Sequence, residues 1–302
     1  MTAPALPSRA IAPLESPEKL RPVQVILGGL LSVDLHIPGM EQLTILTVAT
    51  GVAVAIGLLQ RPRFAFKTLA WVPLILVALL VYLAAVSALT DQSPFAFNWQ
   101  TRLLRISAVV VLALWLAVGR LHFRSILIGT LTALALNLPL FYLGIVPDFY
   151  GGVLTGYAGD KNTAGMVYAI AGLAALSAFR NTLGRILTLA IAGAAIWLTD
   201  SRTSITAFAM GLLWIYAIAR RPTVVRWVAG VAVIWGVNYL EDNFALYARF
   251  ASRAGSDHLR ERIADAAAIK LNSAPWWGDG LGEAYVTIDQ YQWLFHNAYS
   301  SL

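Results

Sequence analysis

The sequence has no cysteine among its 302 residues, which excludes a disulfide scaffold and any thiolate-ligated metal or iron–sulfur centre. Charge is scarce: 13% of residues are Asp, Glu, Lys or Arg, about half the share of an ordinary soluble domain. Histidine is scarcer still, with His36, His122, His258 and His296 scattered along the chain. No carboxylate pair and no metal-ligand spacing is visible, which argues against a metal site. No internal repeat or low-complexity tract is visible either. What fills the space is apolar, with 58% hydrophobic side chains and a mean hydropathy of +0.68. A water-soluble globule of this composition would expose patches large enough to drive aggregation. The sequence therefore reads as an integral membrane protein, and its length allows many spans of roughly 20 residues with one modest external segment.

Apolar runs separated by short charged breaks predict spans at 22–35, 42–60, 68–89, 103–119, 125–145, 163–179, 186–199, 203–219 and 224–240. The expected fold is thus all-α, a polytopic transmembrane helical bundle of about nine spans in 22–240. Residues 1–21 are expected to form a disordered cytoplasmic tail: this start is proline-rich and lacks the basic opening and apolar core of a cleavable signal. Residues 241–302 form the one long extramembrane stretch.

Charge asymmetry predicts the orientation. One set of alternate loops holds Lys19/Arg21, Arg61/Arg63/Lys67, Arg120/Arg124, Arg180/Arg185 and Arg220/Arg221/Arg226. The other holds Asp34/Glu41, Asp91, Asp148/Asp160, Asp200 and the acids of the tail, 14 of the 16 acidic residues. Basic loops stay in the cytoplasm, so the N-terminus is expected inside and the segment after Leu240 outside. The net charge of +6 then needs no nucleic acid, because most basic residues are anchors beside anionic lipid. Nine basic residues break the rule by lying outside: Arg102, Arg105, Lys161, Arg202, Arg249, Arg253, Arg260, Arg262 and Lys270.

Within the external segment, 259–272 reads LRERIADAAAIKLN and predicts a helix, with Ile263, Ala267 and Leu271 on one stripe and Asp257 as N-cap. Proline and three glycines in SAPWWGDGLGEAY then impose a turn. Trp276 and Trp277 beside that turn suit packing, the membrane interface or sugar stacking.

Four patches, in this order, resemble the O-antigen ligase/polymerase superfamily of polytopic bacterial membrane enzymes. They are Lys161-Asn162-Thr163-Ala164-Gly165, Thr199-Asp200-Ser201-Arg202, the stretch from Arg260 through Pro275 to Gly278-Asp279-Gly280-Leu281-Gly282, and His296-Asn297-Ala298-Tyr299. Leu259 stands where the family has a glycine before its loop arginine, which leaves Arg260 and Arg262 as alternatives for that role.

The resemblance implies a cofactor-free membrane glycosyltransferase of the bacterial inner membrane. Its donor would be a glycan on undecaprenyl diphosphate and its acceptor a hydroxyl of lipid A–core or of a growing polysaccharide, with membrane lipids as its other partners. The residue types suit that chemistry. Arginine forks bind phosphate oxygens in bidentate fashion and keep their protons, which suits Arg202, Arg260 and Arg262 to the diphosphate, with Lys161 as a further contact. Imidazole is the natural base near neutral pH, and His296 is its candidate, with Asn297 and Tyr299 in support. Bland readings stand beside these: Arg202 as an interfacial arginine with its head in water, Arg260 and Arg262 as the charged face of an exposed helix, His296 as a surface histidine. Within the superfamily a ligase, an O-antigen or exopolysaccharide polymerase and a protein O-glycosyltransferase remain open; from another class, a polytopic transporter does. The resemblance also implies further spans after the His-Asn motif, and since the sequence stops six residues beyond His296 it reads as a fragment.

Overall fold

The computed structural model describes residues 19–64, 70–179, 181–243 and 254–294. Helices dominate them, and each apolar run coincides with one: α1 (Pro22–Leu30), α2 (Ile45–Leu59), α3 (Trp71–Leu89), α4 (Trp99–Ala117), α5 (Phe123–Tyr142), α6 (Lys161–Ala178), α7 (Thr182–Leu198), α8 (Arg202–Leu213) and α9 (Thr223–Asn243). A single π turn, Trp214–Ile218, extends α8. α3, α4 and α5 are long and apolar enough to cross a membrane, at 19, 19 and 20 residues. α2, α7, α8 with its π turn and the apolar part of α9 are shorter apolar helices. α1 stops after 9 residues, well short of its predicted run.

The described residues are mostly helical, with few strands. Two short antiparallel hairpins interrupt the helices: β1 (His36–Ile37) with β2 (Met40–Thr44), and β3 (Tyr285–Ile288) with β4 (Tyr291–Leu294). Pro38 followed by Gly39 at φ +82° turns the first, the residue pair favoured in a type II turn. The second apolar run therefore begins as a strand and becomes helix only at Ile45, where the Thr44 hydroxyl accepts from Thr47 N at 3.2 Å. The second hairpin turns at Asp289 and Gln290, both at positive φ, the signature of a type I′ turn.

Small residues set the packing distances. A β-carbon on Gly28 of α1 would lie 2.0 Å from the Ile126 carbonyl of α5, so these helices meet backbone to backbone. The larger core lies among α5, α6, α7 and α8 and holds Leu134, Phe141, Tyr168, Ala171, Ala195, Ile196 and Phe208. A separate cluster joins α10 (Ala254–Ser273) to the second hairpin through Ile263, Ala267, Val286 and Ile288. Two residues of the predicted stripe, Ile263 and Ala267, are buried there, whereas Leu271 is exposed. Because α10 already begins at Ala254, Asp257 lies inside the helix and does not cap it.

The segment after α10 docks onto the link between α3 and α4. Phe97 N donates to Gly282 O at 3.0 Å, Leu281 N to Ser87 Oγ at 2.9 Å, and Arg102 Nη1 to Leu281 O at 2.9 Å. Gly280 and Gly282 are required by the approach: a β-carbon on either would lie 2.8 Å from Ser87 Cα or Phe97 O, respectively.

Candidate functional site

Two of the four sequence patches open helices, and the structure packs those helix starts against each other. Asp160 caps α6: its carboxylate accepts from Thr163 N at 2.8 Å and from the Thr163 hydroxyl at 3.1 Å. Lys161 is therefore the first residue of α6. Ser201 caps α8 by accepting from Ser204 N at 3.4 Å, which makes Arg202 the first residue of α8. Between the two stands Gly165, where a β-carbon would lie 2.5 Å from Ser204 Oγ and 2.9 Å from Thr199 Oγ1. Thus Gly165 of the first patch and Thr199 and Ser204 of the second form one contact. Asp200 turns the chain into α8 at φ +53°, a left-handed conformation that Asp tolerates better than most residues. Its Oδ1 and the Nε of Arg202 are both shielded from solvent.

A helix N-terminus carries a partial positive charge, and acidic residues are the ones normally favoured there. Here the two touching N-termini each begin with a cation, Lys161 and Arg202, offset by Asp160 and Asp200. Asp160 meets that preference as the α6 cap, and the cation at the first position of each helix is the departure from it.

The loop leading into α6 is itself pinned. Asp148 accepts from Tyr150 N at 3.1 Å and from Gly152 N at 2.6 Å. Tyr150 OH donates to Asp160 Oδ1 at 3.1 Å, and Lys161 Nζ sits 5.5 Å from the centre of the Tyr150 ring. Burial and the neighbouring Asp160 carboxylate push the Tyr150 phenol above its ordinary range, so it stays protonated and donating. Leu154 N donates to Leu198 O at 3.0 Å, tying the same loop to the end of α7 beside the second patch.

Comparison with family models, with curated proteins and with solved structures finds no match.

The remaining predicted site residues lie elsewhere. Arg262 donates from Nη2 to Asp289 Oδ2 at 2.9 Å, an exposed ion pair between α10 and the turn of the second hairpin. Arg260 is in α10, and its side chain lies outside the described residues. His296, Asn297 and Tyr299 also lie outside them. Among the described residues, no group of three His, Asp or Glu side chains is disposed to hold a metal ion.

Sequence reasoning missed one polar centre, which lies where the external segment docks. Lys270 Nζ donates to Glu283 O at 2.8 Å, to Glu283 Oε2 at 3.0 Å and to Tyr285 O at 3.1 Å, and lies 4.3 Å from the centre of the Tyr285 ring. Ser93 N donates to the other carboxylate oxygen of Glu283 at 2.7 Å, and the Ser93 and Tyr285 hydroxyls share a hydrogen bond. Lys270 was visible in the sequence as a cation on the unexpected side; its partner 13 residues away was not.

Proposed function

We propose that the chain is an integral membrane glycosyltransferase with chemistry like that of the O-antigen ligase/polymerase superfamily. It moves a glycan from undecaprenyl diphosphate to an acceptor hydroxyl, on lipid A–core or a growing polysaccharide, at the outer face of the bacterial inner membrane. The observation that carries this reading is the contact between the starts of α6 and α8, which puts Lys161 and Arg202 at the first position of two touching helices. Arg202 and Lys161 stabilise the diphosphate as it leaves, and preorganised positive charge at a leaving group is commonly the largest catalytic contribution.

In the transfer step the acceptor O–H proton passes to His296, and the acceptor oxygen forms a bond to the anomeric carbon. The bond from that carbon to the diphosphate oxygen breaks, and undecaprenyl diphosphate departs with the electron pair. Attack opposite the leaving group inverts the anomeric centre. Arg260 and Arg262 are the remaining cations offered for the diphosphate; the Arg262–Asp289 pair favours Arg260 for that role. The N-terminus is cytoplasmic, and the segment after Leu240 is periplasmic.

The test is surface glycan from the native host, resolved on a gel. His296→Ala abolishes the wild-type banding. Arg202→Lys, which keeps the charge and loses the fork, lowers transfer about 10- to 100-fold, corresponding to the ~1.5–3 kcal/mol of a charged hydrogen bond. Persistence of normal banding in His296→Ala overturns the assignment. Loss that leaves lipid-linked polymer identifies a ligase, and loss that leaves single repeats on the core identifies a polymerase.

A further inference from the structure

Between α10 and the second hairpin the chain does not run straight across the outer end of α3. Its contacts step along that helix in sequence order. Gly282 meets Phe97 beyond the end of α3, Leu281 and Gly280 meet Ser87, and Trp277 O accepts from Tyr82 OH at 2.7 Å. Tyr82 lies seven residues before Leu89, about 10 Å along the axis at 1.5 Å per residue. Side chains on a helix lean toward its N-terminus, so the Tyr82 hydroxyl reaches away from the outer end, and Trp277 O lies at that depth or beyond. Both flanks of the loop stay above it, since Lys270 holds Glu283 and Tyr285 and Gly282 is fixed to Phe97.

The tip is apolar and open. Trp276 is 91% exposed and Trp277 47%, their rings meeting edge to face with centroids 5.4 Å apart. The adjoining surface of α3 is also apolar and uncovered, with Tyr82 45% and Val81 62% exposed. Backbone polar groups at membrane depth must be satisfied internally. Here Tyr82 OH serves the Trp277 carbonyl, Gly278 N closes the turn onto Pro275 O at 2.8 Å, and Pro275 has no N–H to satisfy. The N–H groups of Trp276 and Trp277 have no partner within the described residues and need water or headgroup oxygens, which keeps the turn in the interfacial layer. Asp279 directly precedes Gly280, which meets Ser87, and a carboxylate so close to the tip opposes deeper entry.

We infer that 275–280 is a re-entrant turn whose occupant is lipid: Trp276 and Trp277 enter the glycerol and upper acyl region of the outer leaflet beside α3 and anchor the external segment to it. Indoles prefer that layer, and a penetration of about 5–10 Å is what an interfacial apolar element reaches. The inference rests on the membrane reading of α3 and is independent of glycosyl transfer.

The absence of native cysteine makes the test direct. Trp276→Cys, Thr287→Cys and Ile75→Cys are labelled one at a time with an environment-sensitive fluorophore in the full chain, reconstituted into phosphatidylcholine–phosphatidylglycerol vesicles. Thr287 is exposed on the hairpin and serves as the aqueous reference; Ile75, exposed one turn into α3 from its start at Trp71, serves as the lipid reference. The label at Trp276 is expected to be quenched by 5-doxyl lipid at least twofold more than the label at Thr287, and several-fold less by aqueous iodide. Iodide quenching equal to that at Thr287 overturns the proposal. So does shielding from both quenchers, which would mean that protein, such as a second copy of the chain, covers the turn. Aqueous quenching at Ile75 as well overturns the membrane reading of α3 and the proposal with it. A second reporter at Trp277→Cys keeps the test decisive if the first variant fails to assemble.

Discussion

Gly165 sits one turn into α6, where a β-carbon would lie 2.5 Å from the hydroxyl of Ser204 and 2.9 Å from that of Thr199. Neither neighbour can retreat easily, since Ser204 bonds Ser201 Oγ at 2.9 Å and Thr199 Oγ1 donates to Ile196 O at 2.7 Å. Gly165→Ala is therefore expected to cost about 1–3 kcal/mol, the range for overpacking a filled site. Gly193 of α7 provides the control: its β-carbon would find only Phe208, at an ordinary 3.6 Å, so Gly193→Ala should leave the midpoint of thermal unfolding unchanged or raised. Measuring both by thermal denaturation in detergent separates a local clash from a general loss of glycine. Ser201→Ala removes the α8 cap and is expected to cost about 1 kcal/mol in the same assay. At this scale the sequence was informative where a residue's role is local. Asp160 and Ser201 carry cap signals that depend only on the next few residues, yet the one cap expected from the sequence was Asp257, which lies inside α10. Arg262 was not legible in the same way, since its partner Asp289 lies 27 residues on and reaches it only once the hairpin has formed.

Both hairpins were passed over in reading the sequence, and the second is the one whose signals are plain. Tyr285-Val286-Thr287-Ile288 and Tyr291-Gln292-Trp293-Leu294 are rich in β-branched and aromatic residues and are separated by two residues. An Asp-Gln pair is a weak turn signal beside Asn-Gly, and the helix before it drew the reading toward loop. Burial raises the Glu283 carboxyl, but the hydrogen bonds from Ser93 and Lys270 outweigh it and hold the group below its ordinary value. A carboxyl lowered in the folded state contributes stability above its unfolded pKa of about 4.3. That contribution is lost as pH falls through the lower folded value. Backbone amides of 281–294 should accordingly lose protection from hydrogen exchange below about pH 4, while those of α6 and α7 keep theirs. Glu283→Gln should remove this acid step and leave the segment less protected at pH 7. An unchanged acid step in that variant would assign it to another carboxyl. Gln290→Gly, relieving a non-glycine residue at φ +69°, should raise protection of the hairpin by up to about 1 kcal/mol.

Across the whole molecule, hydropathy located the helices well because each apolar run is continuous and is ended by charge or glycine. It overstated their length where a run continues into a turn or strand, as at 31–35 and 42–44. Hydropathy sums over residues without regard to backbone geometry. α6, α7 and α8 with its π turn decide how much of the proposed topology holds. They contain 18, 17 and 17 residues, or about 26–27 Å each at 1.5 Å per residue, against a hydrocarbon thickness of about 30 Å. A deficit of a few ångströms is within what bilayer thinning and arginine or tryptophan side chains at the helix ends can absorb, and Arg185, Trp197, Arg202 and Arg220 stand at those ends. Three crossings would put the loop before α6 and the loop after α8 on opposite sides of the membrane; failure of any one would put them on the same side. Phe149 and Arg221 are exposed in those two loops, and the chain has no cysteine to confuse the reading. In sealed right-side-out membrane vesicles from the native host, a membrane-impermeant maleimide should label Phe149→Cys at once and Arg221→Cys only after permeabilisation. Labelling of both from outside would mean that one of the three short helices does not cross. The start of α6 and the start of α8 would still touch, because Gly165 and Ser204 hold them, but the side of the membrane proposed for Lys161 and Arg202 would have to be reassigned.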